Sequence, residues 1–209
     1  METNYRIAYN KGWQDLKKIK PEEIIARRSV SYCNSTRQFT VTFFNSEYIL
    51  DWDHETIYQK SDGQSPKIMA SIIILNYLTF SEVSRKPDHK WVSLKEIPTG
   101  GALFYPAFQK NSIELLIEAF GSQSEKLLSC GAALGGVPES MGSASVSFQA
   151  FPEIPLCVVI WEGDEEVRAN GTILFDPSIA DLLHIESLIG LGMYLASKLK
   201  QLAASKMVT

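Results

Sequence analysis

Ala144-Ser145-Val146-Ser147-Phe148-Gln149-Ala150-Phe151, Leu156-Cys157-Val158-Val159-Ile160-Trp161 and Thr172-Ile173-Leu174-Phe175 are the three runs that decide the fold. In the first, Val146, Phe148 and Ala150 alternate with Ser145, Ser147 and Gln149, the period-two pattern of a strand with one buried face. The second is apolar without a break, as expected of an interior strand covered on both faces. Pro152-Glu153-Ile154-Pro155 turns the chain between them, and an acidic loop at 162–171 leads to the third. Both connections are too short for a parallel crossover, which needs about a dozen residues or more. The 156–161 strand is therefore predicted to lie between the other two in an antiparallel sheet.

Helical and hairpin patterns surround this core. Tyr5, Tyr9, Trp13 and Leu16, with Ile19, recur at close to helical spacing. Pro21 stands at the first turn of a second, short helix, where Glu22 and Glu23 suit the dipole; Ile24 and Ile25 face inward and Arg27 and Arg28 close it. Phe39, Val41 and Phe43 alternate with polar residues, Asn45-Ser46 is the predicted turn, and Tyr48, Leu50 and Trp52 return on one face. Ser65-Pro66 opens a helix predicted over 68–83, although Ile72-Ile73-Ile74 suits a buried strand almost as well. Residues 91–97 read as a short strand ended by Pro98. Asn111-x-x-Glu114 and Ser122-x-x-Glu125 have capping-box spacing, and Gly121 and Gly135 fall where helices stop. The last helix turns Ile185, Leu188, Ile189, Leu195, Leu199 and Leu202 inward, with Lys198, Lys200 and Lys206 toward its C-terminal end. The expected architecture is α+β: one domain over 1–209, a mainly antiparallel sheet with helices packed around it.

The chain has 209 residues, 45% hydrophobic, and 20 basic against 24 acidic side chains, a formal charge of −4. That balance argues against a protein held by a nucleic-acid backbone. The N-terminal residues are polar and lack the apolar core of a secretory signal, and the run at 69–80 is too short to span a bilayer. No nucleic-acid or membrane partner is expected, and a cytoplasmic location is. Cys33, Cys130 and Cys157 are dispersed and odd in number, which fits free thiols rather than a disulfide framework or a structural zinc.

Three ordered blocks carry a family resemblance. Trp91-Val92-Ser93 with Gly100-Gly101 and Tyr105-Pro106-Ala107-Phe108 forms one, Leu134-Gly135-Gly136 a second, and the third joins residues 151–155 to Trp161-Glu162-Gly163-Asp164-Glu165-Glu166 and Ile173-Leu174-Phe175-Asp176. Over about residues 70–200 the chain resembles the family called domain of unknown function 3786. That family is found mainly in anaerobic bacteria and archaea. Some members carry an added four-cysteine iron–sulfur domain like that of the corrinoid iron–sulfur protein. The resemblance implies a corrinoid or electron-transfer setting and no particular activity. This chain has no cluster-binding cysteine set, so iron–sulfur chemistry would belong to a partner. It also has His184 where the family pattern expects proline and Ser143 where it expects an acidic residue.

Two segments are candidates for a site. In Pro98-Thr99-Gly100-Gly101-Ala102-Leu103-Phe104-Tyr105-Pro106-Ala107-Phe108, read as a loop, adjacent glycines allow close approach of a ligand, and the aromatics offer flat surface. The bland alternative is that Phe104, Tyr105 and Phe108 plug the core. Glu162, Asp164, Glu165 and Glu166 form an acidic loop whose carboxylates either do acid–base or cation chemistry or are simply solvated. Glu162 stands apart because it follows Trp161, which reads as buried. The predicted cofactor site joins the two, with Gly100, Gly101, Tyr105, Phe108, Trp161, Glu162 and Asp164 around a corrinoid or other tetrapyrrole. His54, His89 and His184 share no ligand spacing, and no nucleophile elbow or phosphate loop is present, so no catalytic residue is assigned. A cytosolic binding or accessory protein of anaerobic metabolism is the expectation. The alternatives are an interaction protein docking on an iron–sulfur or corrinoid partner, and a small enzyme using the acidic loop.

Overall fold

The computed structural model describes residues 2–98 and 100–205; Thr99 and Lys206, named above, lie outside the described residues. The deciding strands form as their patterns dictate. β7 (Ala144–Phe151), β8 (Ile154–Trp161) and β9 (Asn170–Phe175) pair antiparallel, and β5 (Val92–Ser93) and β6 (Val137–Glu139) complete a sheet of order β5-β9-β8-β7-β6. Cys157 stands opposite Ser147 on one side and Leu174 on the other, so β8 is interior. Ile154, Leu156, Val158 and Ile160 face the main core, while Cys157 and Val159 are equally buried on the other face. That two-sided burial is why β8 shows no polar alternation.

A second sheet is a simple meander of β1 (Ser31–Cys33), β2 (Gln38–Phe43), β3 (Ser46–Asp51) and β4 (Thr56–Gln59). Its central hairpin turns one residue earlier than Asn45-Ser46 predicts. Phe44 and Asn45 form the two-residue loop, both with positive φ, at 45° and 58°. Two-residue hairpins favour such turns because their twist matches the strands, and phenylalanine is a poor local choice for one. Tertiary contacts decide it. The Phe44 ring is buried and stacks on Tyr194 at 5.4 Å, and its amide donates to the Ala150 carbonyl of β7 at 3.0 Å. Phe43 meets Phe151 at 5.0 Å, so the two sheets share one core.

The helices fill the remaining layer. α1 (Glu2–Leu16) buries Trp13 and Leu16 against α3 (Ile68–Thr79). The isoleucine run in α3 is helical and apolar nearly all round because α7 (Ile185–Ser205) packs on it too. α3 starts two residues after Pro66 and stops at Thr79, short of the predicted end at 83. α2 (Pro21–Arg27) buries Ile24 but leaves Ile25 exposed, and Arg28, expected only to close this helix, is 3% exposed. Arg28 caps α3 instead. Its Nε donates to the Tyr77 carbonyl at 2.7 Å, and its two Nη atoms donate to those of Val83, Ser81 and Arg27 at 2.7, 2.9 and 3.1 Å.

Two further readings are corrected. Of the 91–97 strand only Val92 and Ser93 pair in the sheet; Leu94–Glu96 is a 3-10 turn, started by a capping box between Ser93 and Glu96. The expected boxes at Asn111 and Ser122 do not form. α4 (Gly101–Phe108) runs through a π turn at Gln109–Ile113 into α5 (Glu114–Phe120) without a break, and Asn111 Nδ2 donates to the Ala107 carbonyl at 2.8 Å. After Gly121, α6 (Lys126–Ala132) begins past Ser122, and Gly135 turns the chain into β6 with φ 73°.

Candidate functional site

The segment 100–108 is a helix start, and its glycines serve the protein's own backbone. Gly100 caps α4 with φ 107°. A methyl on Gly101 would overlap the Leu94 carbonyl oxygen and sit 3.2 Å from Ile97 Cβ. Tyr105 is half-buried with the Lys95 ammonium 4.1 Å from its ring centre. Phe108 is fully buried against Phe175, at 5.9 Å.

Trp161, Glu162 and Asp164 lie at the other end of the sheet. Phe175 pairs with Leu156, whereas Trp161, five positions further along β8, pairs with Asn170. At about 3.4 Å per residue the two ends are about 17 Å apart. The structure does not bring the predicted set together. Trp161 is 43% exposed, not buried, because it is the last, outward residue of its strand. Glu162 Oε2 accepts from the Ser124 amide at 3.0 Å and its hydroxyl at 2.6 Å. Asp164 Oδ1 accepts from the amides of Val167 and Glu166 at 2.7 and 2.9 Å. These bonds hold both carboxyls below their usual pKa values. Two carboxylates depressed together are not the divided acid and base that catalysis uses. Their visible work is to fix the turn before α6 and the loop before β9.

Phe104, one residue before Tyr105, faces a different surface. It joins Tyr5 of α1, Met69 and Ile72 of α3, and Ile189 and Met193 of α7 around a hollow of about 380 Å³. A neighbouring hollow of about 480 Å³ shares Tyr5, Met69 and Met193 and adds Leu115, Tyr194 and Lys198. The floor is open because Gly190 carries no side chain; a methyl there would reach Met69 Sδ at 3.5 Å. Thioethers on unbranched side chains give such a groove adaptable walls. Its charged and amide groups, among them Lys67, Lys198, Asn111 and Gln201, accompany an otherwise apolar lining. Each hollow falls within the ~300–1,000 Å³ of ordinary small-molecule sites.

Residues 20–198 match the family described as Domain of unknown function (DUF3786). The chain belongs to this family. The match starts well before residue 70, where the sequence resemblance begins, and so takes in the four-stranded sheet as well as the five-stranded one. Searches of curated proteins and of solved structures found no match. Within the DUF3786 span lie Met69, Phe104, Leu115 and Met193, whereas Tyr5 precedes it. The groove is thus built mostly from the family region, with α1 before it and Gln201 of α7 just past it.

A second cleft, of about 340 Å³, opens on the face of the five-stranded sheet away from the helices, lined by Trp91, Glu139 and Gln149 among others. Asp176, noted in the sequence only as the last residue of the third family block, organises its wall. Although fully buried, the carboxylate accepts from the Asp88 and Ser178 amides through Oδ1, at 2.9 and 3.0 Å, and from the Lys90 amide through Oδ2 at 3.2 Å. Burial raises its pKa, but these bonds outweigh it and the carboxyl stays below its usual value. Among the described residues no three His, Cys, Asp or Glu side chains are grouped to hold a metal ion, and no helix is long and apolar enough to cross a membrane.

The cysteines divide sharply by environment. Cys157 is buried in β8, and burial, with the Glu139 charge nearby, pushes its thiol up to about 12. Cys33 is exposed, and hydrogen bonds from Ser35 and Thr36 bring its thiol down to about 7. The thiolate is the nucleophile. Iodoacetamide should therefore modify Cys33 first, with a rate that rises through pH 7, and leave Cys157 untouched until unfolding. Ser35→Ala should move that midpoint upward. Peptide mass spectrometry across pH 6–9 reads both, and equal rates at Cys33 and Cys157 in the folded protein would refute the assignment.

Proposed function

We propose that the protein is a binding or accessory protein that holds a flat, largely apolar ligand of tetrapyrrole type in the groove between α1, α3, α4 and α7. The observation that carries this reading is the lining itself. Two adjoining hollows share Tyr5, Met69 and Met193, and Phe104 and Tyr194 add flat apolar surface. A macrocycle with an apolar body and peripheral carboxylates matches such a lining, its body against the methionines and rings and its carboxylates toward Lys67 and Lys198. Thioethers are also competent axial ligands for a haem-type iron. The corrinoid member of this class, fringed by amides, would turn to Asn111 and Gln201. The family's iron–sulfur fusions favour that chemistry as the first to test.

The test is absorbance of the protein isolated without oxygen, followed by titration with haem and with cobalamin. Met69→Ala and Phe104→Ala should each weaken binding about tenfold or more, in keeping with the ~1–2 kcal/mol carried by close aromatic and sulfur contacts. Trp161→Phe should leave it unchanged. Absence of binding by both ligands, or affinity indifferent to Met69 and Phe104, would remove the reading. A second reading, a docking surface for an iron–sulfur or corrinoid partner protein, is favoured by Leu103 and Ile7, 78% and 63% exposed, beside lining residues. Leu103→Glu should abolish such docking while leaving tetrapyrrole binding intact. An enzyme using the acidic loop has the least support, since Glu162 and Asp164 are both engaged by the protein's own donors.

A further inference from the structure

Another hollow, of about 280 Å³, lies where α1, the start of β4 and the first turn of α3 meet. Arg6, Tyr9 and Asn10 reach it from α1, at the three- and four-residue spacing that puts them on one helix face. Thr56 borders it from β4, Ser65 from the chain leading into α3, and Ser71 from α3 itself.

α3 starts without a cap. Its N-cap residue is Lys67, which makes no side-chain capping bond, so the first amides of the helix and the positive end of its dipole are unanswered. An N-terminus alone is not a site. Ser71 is the independent sign. It closes the first turn and is only 5% exposed, yet its hydroxyl has no hydrogen-bond partner and is not sealed from solvent. The surface it keeps therefore opens into the hollow that it lines. A helical serine ordinarily turns to open water or bonds back to the carbonyl four residues earlier. That carbonyl, of Lys67, receives only the Ser71 amide, at 3.2 Å. A largely buried hydroxyl left this way is costly, and a ligand oxygen would answer it.

The surrounding charge selects the ligand. Arg6 is exposed and, among the described residues, enters no ion pair or hydrogen bond. The side chains of Asn10, Thr56 and Ser65 are uncommitted in the same sense. Among the described residues no carboxylate lines the hollow. Glu55, next to Thr56, turns its carboxylate to Lys17, while its carbonyl accepts from the Tyr9 hydroxyl at 2.8 Å. A guanidinium, several polar donors and a helix N-terminus with no opposing acid suit an oxyanion. A cation would find no counter-charge. The walls are also set in advance. Gly12 lets α1 lie so near α3 that a methyl there would stand 2.9 Å from Leu75 Cβ, and the Tyr9 bond ties α1 to the chain before β4. Donors held in this way need little ordering when a ligand arrives.

We propose that this hollow binds a phosphate-type oxyanion on Arg6, the Ser71 hydroxyl and the open amides of α3. The anion is either free phosphate or the head of a small monoester whose body lies on Tyr9. The proposal does not rest on the tetrapyrrole groove, although Ile68 borders both. Calorimetry of the full chain with inorganic phosphate and with phenyl phosphate tests it. Arg6→Gln and Ser71→Ala should each weaken both anions about tenfold, the usual weight of a hydrogen bond to a charged group. Arg6 is exposed and alanine fits where serine does, so neither variant should melt below the parent. Arg168→Gln, which removes an exposed cation from the loop before β9, should change nothing. Phenyl phosphate bound more tightly than phosphate would identify a monoester as the ligand, and equal or weaker binding would identify free phosphate. Binding of neither anion would overturn the proposal, as would phenol bound as tightly as phenyl phosphate. So would a loss in Arg6→Gln that Ser71→Ala does not share, which would mark attraction to the surface alone.

Discussion

Arg28→Met should lower the free energy of unfolding by about 3–5 kcal/mol, the largest single-residue effect expected in this protein. The guanidinium is buried and serves four carbonyls, three of which lie in the last turn of α3 and the chain beyond it. Helix ends leave carbonyls without internal partners, and each one stranded away from water costs about 1–3 kcal/mol. Methionine recovers apolar contact but none of those bonds. Burial lowers the guanidinium pKa, while Tyr77 and Glu153 act against that, and arginine stays charged at any ordinary pH. Arg28→Lys should therefore recover less than half of the loss, because one ammonium cannot serve the same planar spread of acceptors. Urea unfolding at pH 7 measures both. A loss under about 1 kcal/mol for Arg28→Met would mean that water reaches those carbonyls and the cap is dispensable.

Gly101→Ala is the second large effect, about 3 kcal/mol of destabilisation. The added methyl would overlap the Leu94 carbonyl oxygen and lie 2.9 Å from the Leu94 carbonyl carbon, both backbone atoms. Forcing atoms into a packed site costs about 1–3 kcal/mol, and a rigid neighbour puts the cost at the upper end. Gly100→Ala meets only the Phe104 ring, at 3.6 Å, so its penalty is the φ of 107° alone, about 1–2 kcal/mol. The order of the two separates a structural role from a ligand-binding one. If Gly101→Ala kept its thermal stability and lost only ligand, the glycines would belong to a binding loop after all.

That pair of glycines shows where sequence reading stops. Gly-Gly followed by Pro106 has the composition of a loop, and only the 3-10 turn at Leu94–Glu96 reveals why a helix must begin there without a side chain. The strands β7, β8 and β9 were legible because their side chains alternate, or fail to, according to which faces are covered. Strands of three or four residues, such as β1, β4 and β6, are too short to display a period. Arg28 read as a helix terminator because its partners lie about fifty residues away in sequence. The candidate groove was half legible. Phe104 lies in the segment singled out, but Tyr5, Met69 and Met193 come from three distant helices and carry no local signature. Asp176 stood out only as the end of a family block; that its carboxylate shapes a cleft wall follows from where the chain at 88–90 returns.

The first helix carries a practical consequence. Boundaries drawn by family similarity begin at residue 20, yet Trp13 and Leu16 are sealed in the core and Gly12 lies so close to Leu75 that a methyl would stand 2.9 Å from its Cβ. A fragment cut at that boundary would bare one flank of α3 to water, with the aggregation such an apolar surface invites. The unit recognised by resemblance and the unit able to fold are therefore different lengths of chain. Expression and domain-grafting work should keep the leading helix attached.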